Sequence, residues 1–538
     1  KFHFTDLNVY DSAHQKTQVV SQGFDLIKND LIPRLEDFSY DLNPSVRQLT
    51  AMITDSIPAD AADRVRAAIA SLTAERNIVA LDEGIRVTLV MTVPDFATPV
   101  PGAAASPTPA ELKAFQDSLD QWDAFLVFTI KNLGVAVGDQ QFRDQLLQIL
   151  LDSRYRLVQA LNNPPAAAGP DPVRILFLDE WTRLHDAVRM AARRGTLGAH
   201  AFEFLSFISA GDALFALDQA APALGMRISA ADLRRLAHIM APTATGDPLR
   251  FNYGEDPELK KMFGVREPPA SNHPMESSRP IEEENIPPSG PGAVPRSRSA
   301  PSAIPPHSSL APHDLWTSLI ALFSPAEADA AENDAALMPQ LQSVAARLYR
   351  LIVSEDNVDS YRTDMGQLLH LTAEHQVSNG AVDADDAPAY VALVLSTAWQ
   401  ESCWRQFVTV GERIRWLESA TGDIGLMQVN KHVWRGFYDL DRLRWDVLYN
   451  AGAGSEILAT MMHIASASSP KYDPVPVPSH LARSAYAAYN GGPGACNRWR
   501  KREPPKLKQI DESFWDKYRY IENGAQIDIL SCARDWGH

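Results

Sequence analysis

The sequence predicts a mainly α, multi-domain protein, and three observations carry that prediction. The chain has 538 residues, well beyond the roughly 100–200 of an ordinary domain. Apolar residues recur three and four positions apart through most of it, the spacing that gathers them on one face of a helix. Two proline-rich stretches interrupt this pattern and divide the chain. A hydrophobic content of 45% is enough to build several cores, so the divisions separate folded modules.

Residues 1–93 form a helical region in which periodicity runs from Leu26 to Leu72. Within it, Ile78 to Val93 is rich in β-branched residues around an Asp-Glu-Gly turn and reads as a β-hairpin. Residues 94–110 are a Pro/Ala-rich linker that cannot hold a helix. Residues 111–265 read as a helical bundle, with apolar stripes over Glu111–Leu133, Gln140–Leu161, Arg174–Ala192 and Ala199–Leu217. Ser229 and Asp232 suit the start of a further helix through Met240. Residues 266–313, dense in Pro and Ser, form a second, extended linker. The last domain spans 314–538, with a core of about 385–530. Amphipathic helices are expected there at Asp314–Phe323 and Met338–Val353. Asp385, Asp386 and Pro388 mark the start of a helix that ends near Glu401, because carboxylates and proline both favour the first turn.

The net charge of -17 argues against a nucleic-acid-binding protein, which needs a basic face. It gives no bulk attraction to an anionic polymer either. No apolar run reaches the ~20 residues of a membrane span, and the best candidate, Phe202 to Leu217, is broken by Glu203 and Asp212. The chain starts at Lys1 without an apolar leader, which suits a mature, exported protein. The three cysteines, Cys403, Cys496 and Cys532, match no zinc spacing. Two of them can pair in an oxidising compartment, and three small buried hydrophobes is the equal alternative.

Chemistry concentrates in three segments of the last domain. Trp399-Gln400-Glu401-Ser402 closes an apolar helix with an acid. The helix dipole and the nearby Trp399, Trp404 and Phe407 disfavour ionisation there, as a proton donor requires. Ser419-Ala-Thr-Gly422-Asp-Ile-Gly425-Leu-Met-Gln428 follows. Its glycines permit close approach to a ligand, Met427 offers an adaptable apolar contact, and Gln428 a hydrogen-bonding amide. The third segment is Tyr486-Ala-Ala-Tyr489-Asn490-Gly-Gly. Taken singly, each is an ordinary helix end or turn; their order and register carry the reading.

Together they resemble the soluble, goose-lysozyme-like lytic transglycosylases, which cleave the glycan strands of bacterial peptidoglycan. The resemblance covers the C-terminal quarter to third of the chain and implies a lysozyme-like α domain. It implies Glu401 as the single catalytic residue, acid first and then base. Substrate contacts are implied for Ser402, Ser419, Gly425, Met427, Gln428, Tyr489, Asn490 and a late tyrosine, Tyr520, with Tyr518 as its alternative. Asn450 and Gly454 match a structural feature of the family. The reaction calls for no metal and no cofactor, peptidoglycan is the partner, and the location is periplasmic or otherwise exported. No motif gives residues 1–265 a role, and a cell-envelope protein is one partner open to that region. Two other readings stay open: a hydrolytic muramidase on the same scaffold, for which Asp423 is the second carboxylate, and a non-catalytic glycan-binding adaptor. The basic run Arg498–Arg502, Lys506 and Lys508 is either a contact for anionic peptide stems or a solvated face.

Overall fold

The structure, a computed structural model, describes residues 108–136, 140–163, 172–194, 204, 207–208, 230–241, 244–250, 254–272, 330–411, 413–468, 477–501 and 504–536. The region before 108, the hairpin at 78–93, most of helix 199–217 and most of both linkers lie outside these residues, as does helix 314–323. The chain divides into two compact units, Lys1–Asn252 and Tyr253–His538. The fold is mainly α, as predicted. Among the described residues, strands occur only in two short two-stranded ribbons.

In the first unit α1 (Pro109–Ala136), α2 (Gln140–Asn162) and α3 (Pro172–Arg193) correspond to three of the predicted stripes, and α4 (Ala230–Met240) to the further helix through Met240. α2 packs on α1 and α3, and α4 packs on α1. Their apolar faces meet around Trp122, Phe125, Phe177, Trp181 and Phe207, with neighbouring ring centroids 5.0–6.2 Å apart. A buried ion pair, Arg154 to Asp123 at 2.7 Å, joins α2 to α1. Such a pair adds little net stability, but leaving either partner alone would be costly.

In the second unit α5 (Pro257–Phe263) is followed by α6 (Ala330–Arg347) and α7 (Val358–Ser378). α6 starts before the expected Met338, runs through Pro339 and ends before the expected Val353. α8 (Ala387–Ser402) starts after a short 3-10 turn at Ala384–Asp386. Next come β1 (Phe407–Val410), β2 (Arg413–Trp416), β3 (Asp423–Ile424) and β4 (Val429–Asn430), then α9 (Leu440–Trp445) and α10 (Val447–Ser468). α11 (Pro478–Gly491), α12 (Pro505–Glu522) and α13 (Ile529–Trp536) complete the unit. α8 is apolar all round, with Tyr390, Leu393, Leu395 and Ala398 among its buried residues. A helix of that composition belongs in a core, and α7, α10, α11 and α12 pack around it.

The second unit begins well before the expected boundary at 314. Residues 254–272, assigned from the sequence to the end of the bundle and the start of the linker, form a strap over α9 and α10. α5 is a well-specified turn of helix: Asp256 caps the amides of Glu258 and Leu259, Pro257 opens it, and Gly264 closes it in the left-handed region. Leu259 is buried, and Phe263 packs on Phe437 with ring centroids 6.1 Å apart. Beyond α5, the Arg266 N–H donates to Glu456 (2.6 Å), and the Ser271 N–H donates to Asp446 (2.8 Å). Pro268 and Pro269 lie against Gly452 of α10.

Two expectations follow for the full chain. Leu259→Ala should lower the stability of the second unit by about 2–5 kcal/mol, the cost of emptying a buried leucine site, read as a shifted denaturant midpoint. The second concerns Glu456, which burial raises to about 7 from an ordinary 4.5, against the pull of the Arg266 amide and the Tyr438 hydroxyl. Folded Glu456 thus holds a proton that the unfolded chain releases. The stability it contributes is full below about 4.5 and is lost as pH rises through about 7. Glu456→Gln should flatten that fall, measured by unfolding at pH values across the window. Burial raises Glu180 to about 7 as well, so the difference between variant and wild type is the quantity to compare.

Candidate active site

Glu401 lies one residue from the end of α8 and is 3% exposed. The Tyr486 hydroxyl, from α11, donates to its Oε1 at 3.1 Å. Tyr486 is itself buried and stacks flat on Phe514 of α12, with centroids 3.8 Å apart. The helix then ends abruptly: Cys403 and Trp404 both take left-handed backbone, with φ of 55° and 59°. For residues other than glycine that conformation costs on the order of 1–3 kcal/mol each, so the surroundings must hold it. The Trp404 indole N–H donates to Leu395 O at 2.9 Å, and the Tyr361 hydroxyl donates to Trp404 O at 2.8 Å. Cys403 is bonded to Cys532 of α13, and Cys496 is buried outside that bond.

The Gly425–Gln428 loop has little regular structure, and four side chains fix it. Asn450 of α10 accepts from the Met427 amide at 2.9 Å and donates to Ile424 O and Leu443 O. Gln406 accepts from the Leu426 amide at 2.8 Å and donates to Leu443 O. Ser402 donates to Leu426 O at 2.6 Å, and Tyr489 donates to Met427 O at 2.5 Å. Gly425 has φ +74°. Gly454, one turn beyond Asn450, lies so close to the loop that an added Cβ would sit 2.3 Å from Met427 Cβ. The loop is therefore locked to α8, α10 and α11 at once.

Gln428 is 4% exposed and takes left-handed backbone, and its amide donates to Gly425 O at 2.8 Å. Its Oε1 is a buried acceptor without a protein partner. Such an atom is costly unless a ligand or water satisfies it. Asn490 lies half-buried one residue from the end of α11, and Arg498 donates to its Oδ1 at 3.0 Å. Arg498 in turn pairs with Asp511 at 2.7 Å, both buried. This member of the basic run is an internal brace that orients Asn490, neither a solvated charge nor a surface contact.

The structure ties Tyr489 directly to Met427, joins the Glu401 helix to the loop of Met427 and Gln428 through Ser402, and holds Asn490, next to Tyr489 on α11, through Arg498. Ser402 is fully buried and joins the acid helix to the loop, and Gly425 fixes the turn. Ser419 lies in the preceding turn, where its hydroxyl donates to Asp423 at 2.5 Å and accepts from the Asp423 and Thr421 amides. The Tyr520 hydroxyl donates to Gln526 O at 3.2 Å, while its ring packs on Trp399. Tyr518 is buried and reaches toward Ala389 O. The tyrosine at the acid is Tyr486, which sequence reasoning quoted within its motif without giving it a role. The helical spacing of Tyr486 and Tyr489 was the available signal, since residues three apart share a face. Gln406 was also missed. It lies at the base of the β1–β2 hairpin, which the alternating Val408, Val410, Ile414 and Gly411 could have disclosed.

The second unit is thus a mainly helical domain with a buried acid near the end of its central helix, tied through Ser402 to an amide-bearing loop. Residues 386–511 match the family model of the transglycosylase SLT domain. The C-terminal part of the chain therefore carries a transglycosylase SLT domain, which supports a lytic transglycosylase catalytic domain there. No curated protein and no solved structure matches the chain.

The contact at Gly454 yields a direct test. Gly454→Ala should push Met427 out of register and cost about 1–3 kcal/mol of stability, as overpacked cores do. Glycan cleavage should fall at least tenfold. Chemical unfolding and a turbidity assay on cell-wall sacculi would check both.

Proposed function

We propose that the second unit cleaves the bond between MurNAc and GlcNAc without water, releasing 1,6-anhydroMurNAc ends. Glu401, as the acid, gives its proton to the bridging oxygen while the bond from MurNAc C1 breaks. Positive charge develops on the sugar ring, and the substrate's own N-acetyl group stabilises it. The Glu401 carboxylate, held by the Tyr486 hydroxyl, then takes the proton of the C6 hydroxyl, and O6 closes onto C1. The observation that carries this reading is the single buried carboxylate paired with Tyr486 beside the Gly425–Gln428 loop.

A water-activating base finds no support. Asp423 Oδ2 accepts from Ser419 and Thr421, and its Oδ1 accepts from Asn430 at 2.8 Å, so this carboxylate builds its own turn. The Gln428 acceptor and the amide N–H groups of Asn490 suit sugar hydroxyl and N-acetyl groups. The Cys403–Cys532 bond fits an oxidising compartment such as the periplasm, where peptidoglycan lies. Among the described residues no helix is long and apolar enough to cross a membrane.

Mass spectrometry of products from purified peptidoglycan tests the proposal. Anhydro-ended muropeptides are expected from the full chain and should vanish with Glu401→Gln. Reducing-end products would make the enzyme a hydrolase, and an unaffected Glu401→Gln variant would remove the acid. Tyr486→Phe should keep KM within about twofold and lower kcat about 100-fold, the lower end of what losing one catalytic hydrogen-bond donor costs.

A further inference from the structure

The turn that follows Glu401 carries an inference about how the acid is held, and it rests on Glu401 being the acid. Only Ser402 separates Glu401 from two consecutive left-handed residues, Cys403 and Trp404. Neither is glycine, the residue that helix ends of this kind usually use. Trp404 is fixed through its indole N–H, its carbonyl and its ring, which lies against Gly366. Cys403 has no polar side-chain group for such ties, and its anchor is the bond to Cys532, 129 residues downstream. The same turn carries Ser402, whose hydroxyl holds the Gly425–Gln428 loop through Leu426 O.

We propose that the Cys403–Cys532 bond is a positioning tie for the acid. It holds the last turn of α8 in a backbone shape that cysteine does not favour, and so keeps Glu401 against Tyr486 and Ser402 against the loop. Docking of the C-terminal helix does not depend on this bond alone. α13 packs on α7, Ile527 and Ile529 are buried, and Arg362 donates to Gln526 at 2.8 Å. Removing the bond should therefore loosen the acid's turn while α13 stays in place.

The test compares the full-length wild type with Cys532→Ala and with the double variant Cys403→Gly/Cys532→Ala. Glycine takes the left-handed conformation without a tie. Cys532→Ala should lower kcat about tenfold with KM within twofold, and amide hydrogen exchange over residues 401–405 should quicken about tenfold. The double variant should restore both to within about threefold of wild type. Unchanged kcat and exchange in Cys532→Ala would overturn the proposal, as would a double variant no better than the single one. Loss of cooperative unfolding in both variants would also overturn it, because the bond would then hold the whole unit. Glu401→Gln runs alongside: if it cleaves glycan like the wild type, the acid assignment fails. The exchange data still decide whether the bond holds the turn.

Discussion

The acid helix α8 is enclosed by four other helices, and the chain has to leave that enclosure within a residue or two of Glu401. Most of the site follows from how it does so. A gradual exit would draw the acid toward solvent or leave helix carbonyls buried without donors. The left-handed pair Cys403–Trp404 turns the chain at once, with the Cys403 amide bonded to Trp399 O and the Trp404 amide to Ala398 O. Glu401 thus stays in the core layer, where α11 can deliver the Tyr486 hydroxyl.

Rigidity in the facing loop comes from side chains rather than from secondary structure. β3 and β4 contribute only two residue pairs, too few to hold a loop. Asn450 and Gln406 substitute for a third strand, each accepting from one main-chain amide and donating to two main-chain carbonyls at depth. A buried primary amide can satisfy neighbouring backbone donors and acceptors at once, as a hydroxyl or carboxylate cannot over the same span. With the backbone of residues 424–427 satisfied in this way, the acceptor of Gln428 is the polar atom left for a ligand.

What the sequence made legible was what is encoded locally. Glu401 at a helix end follows from the proline-started apolar run, and the Gly-Leu-Met-Gln turn from its glycines. The residues that needed three-dimensional knowledge escaped. Arg498 looked like one charge of a basic run because its partner Asp511 lies in the next helix. Tyr520 was expected at the site, and its described neighbours are Trp399, two residues before Glu401, and the Gln526 carbonyl. Residues 254–272 looked like a bundle end and a linker because their contacts are with α9 and α10, as with Arg266 and Glu456, 190 positions apart. The choice of Cys403 and Cys532 over Cys496 has the same origin, since spacing alone cannot rank pairings.

The run Asn450-Ala-Gly452-Ala-Gly454-Ser-Glu456 shows how one helix serves two purposes. Residues two apart on a helix differ by about 200° in direction, and residues four apart nearly coincide. Asn450 and Gly454 therefore share a face, the one pressed against Met427. Gly452 and Glu456 share the opposite face, against Pro269 and the Arg266 amide of the strap. Glycine permits close approach on both sides, and a polar side chain one turn away fastens each. A shift of α10 that relieved one contact would compress the other, so the strap from before the long linker bears on the loop that faces the acid. Residues 254–272 are thus part of the second unit, and in the sequence the proline-rich segment follows them within that unit rather than leading it.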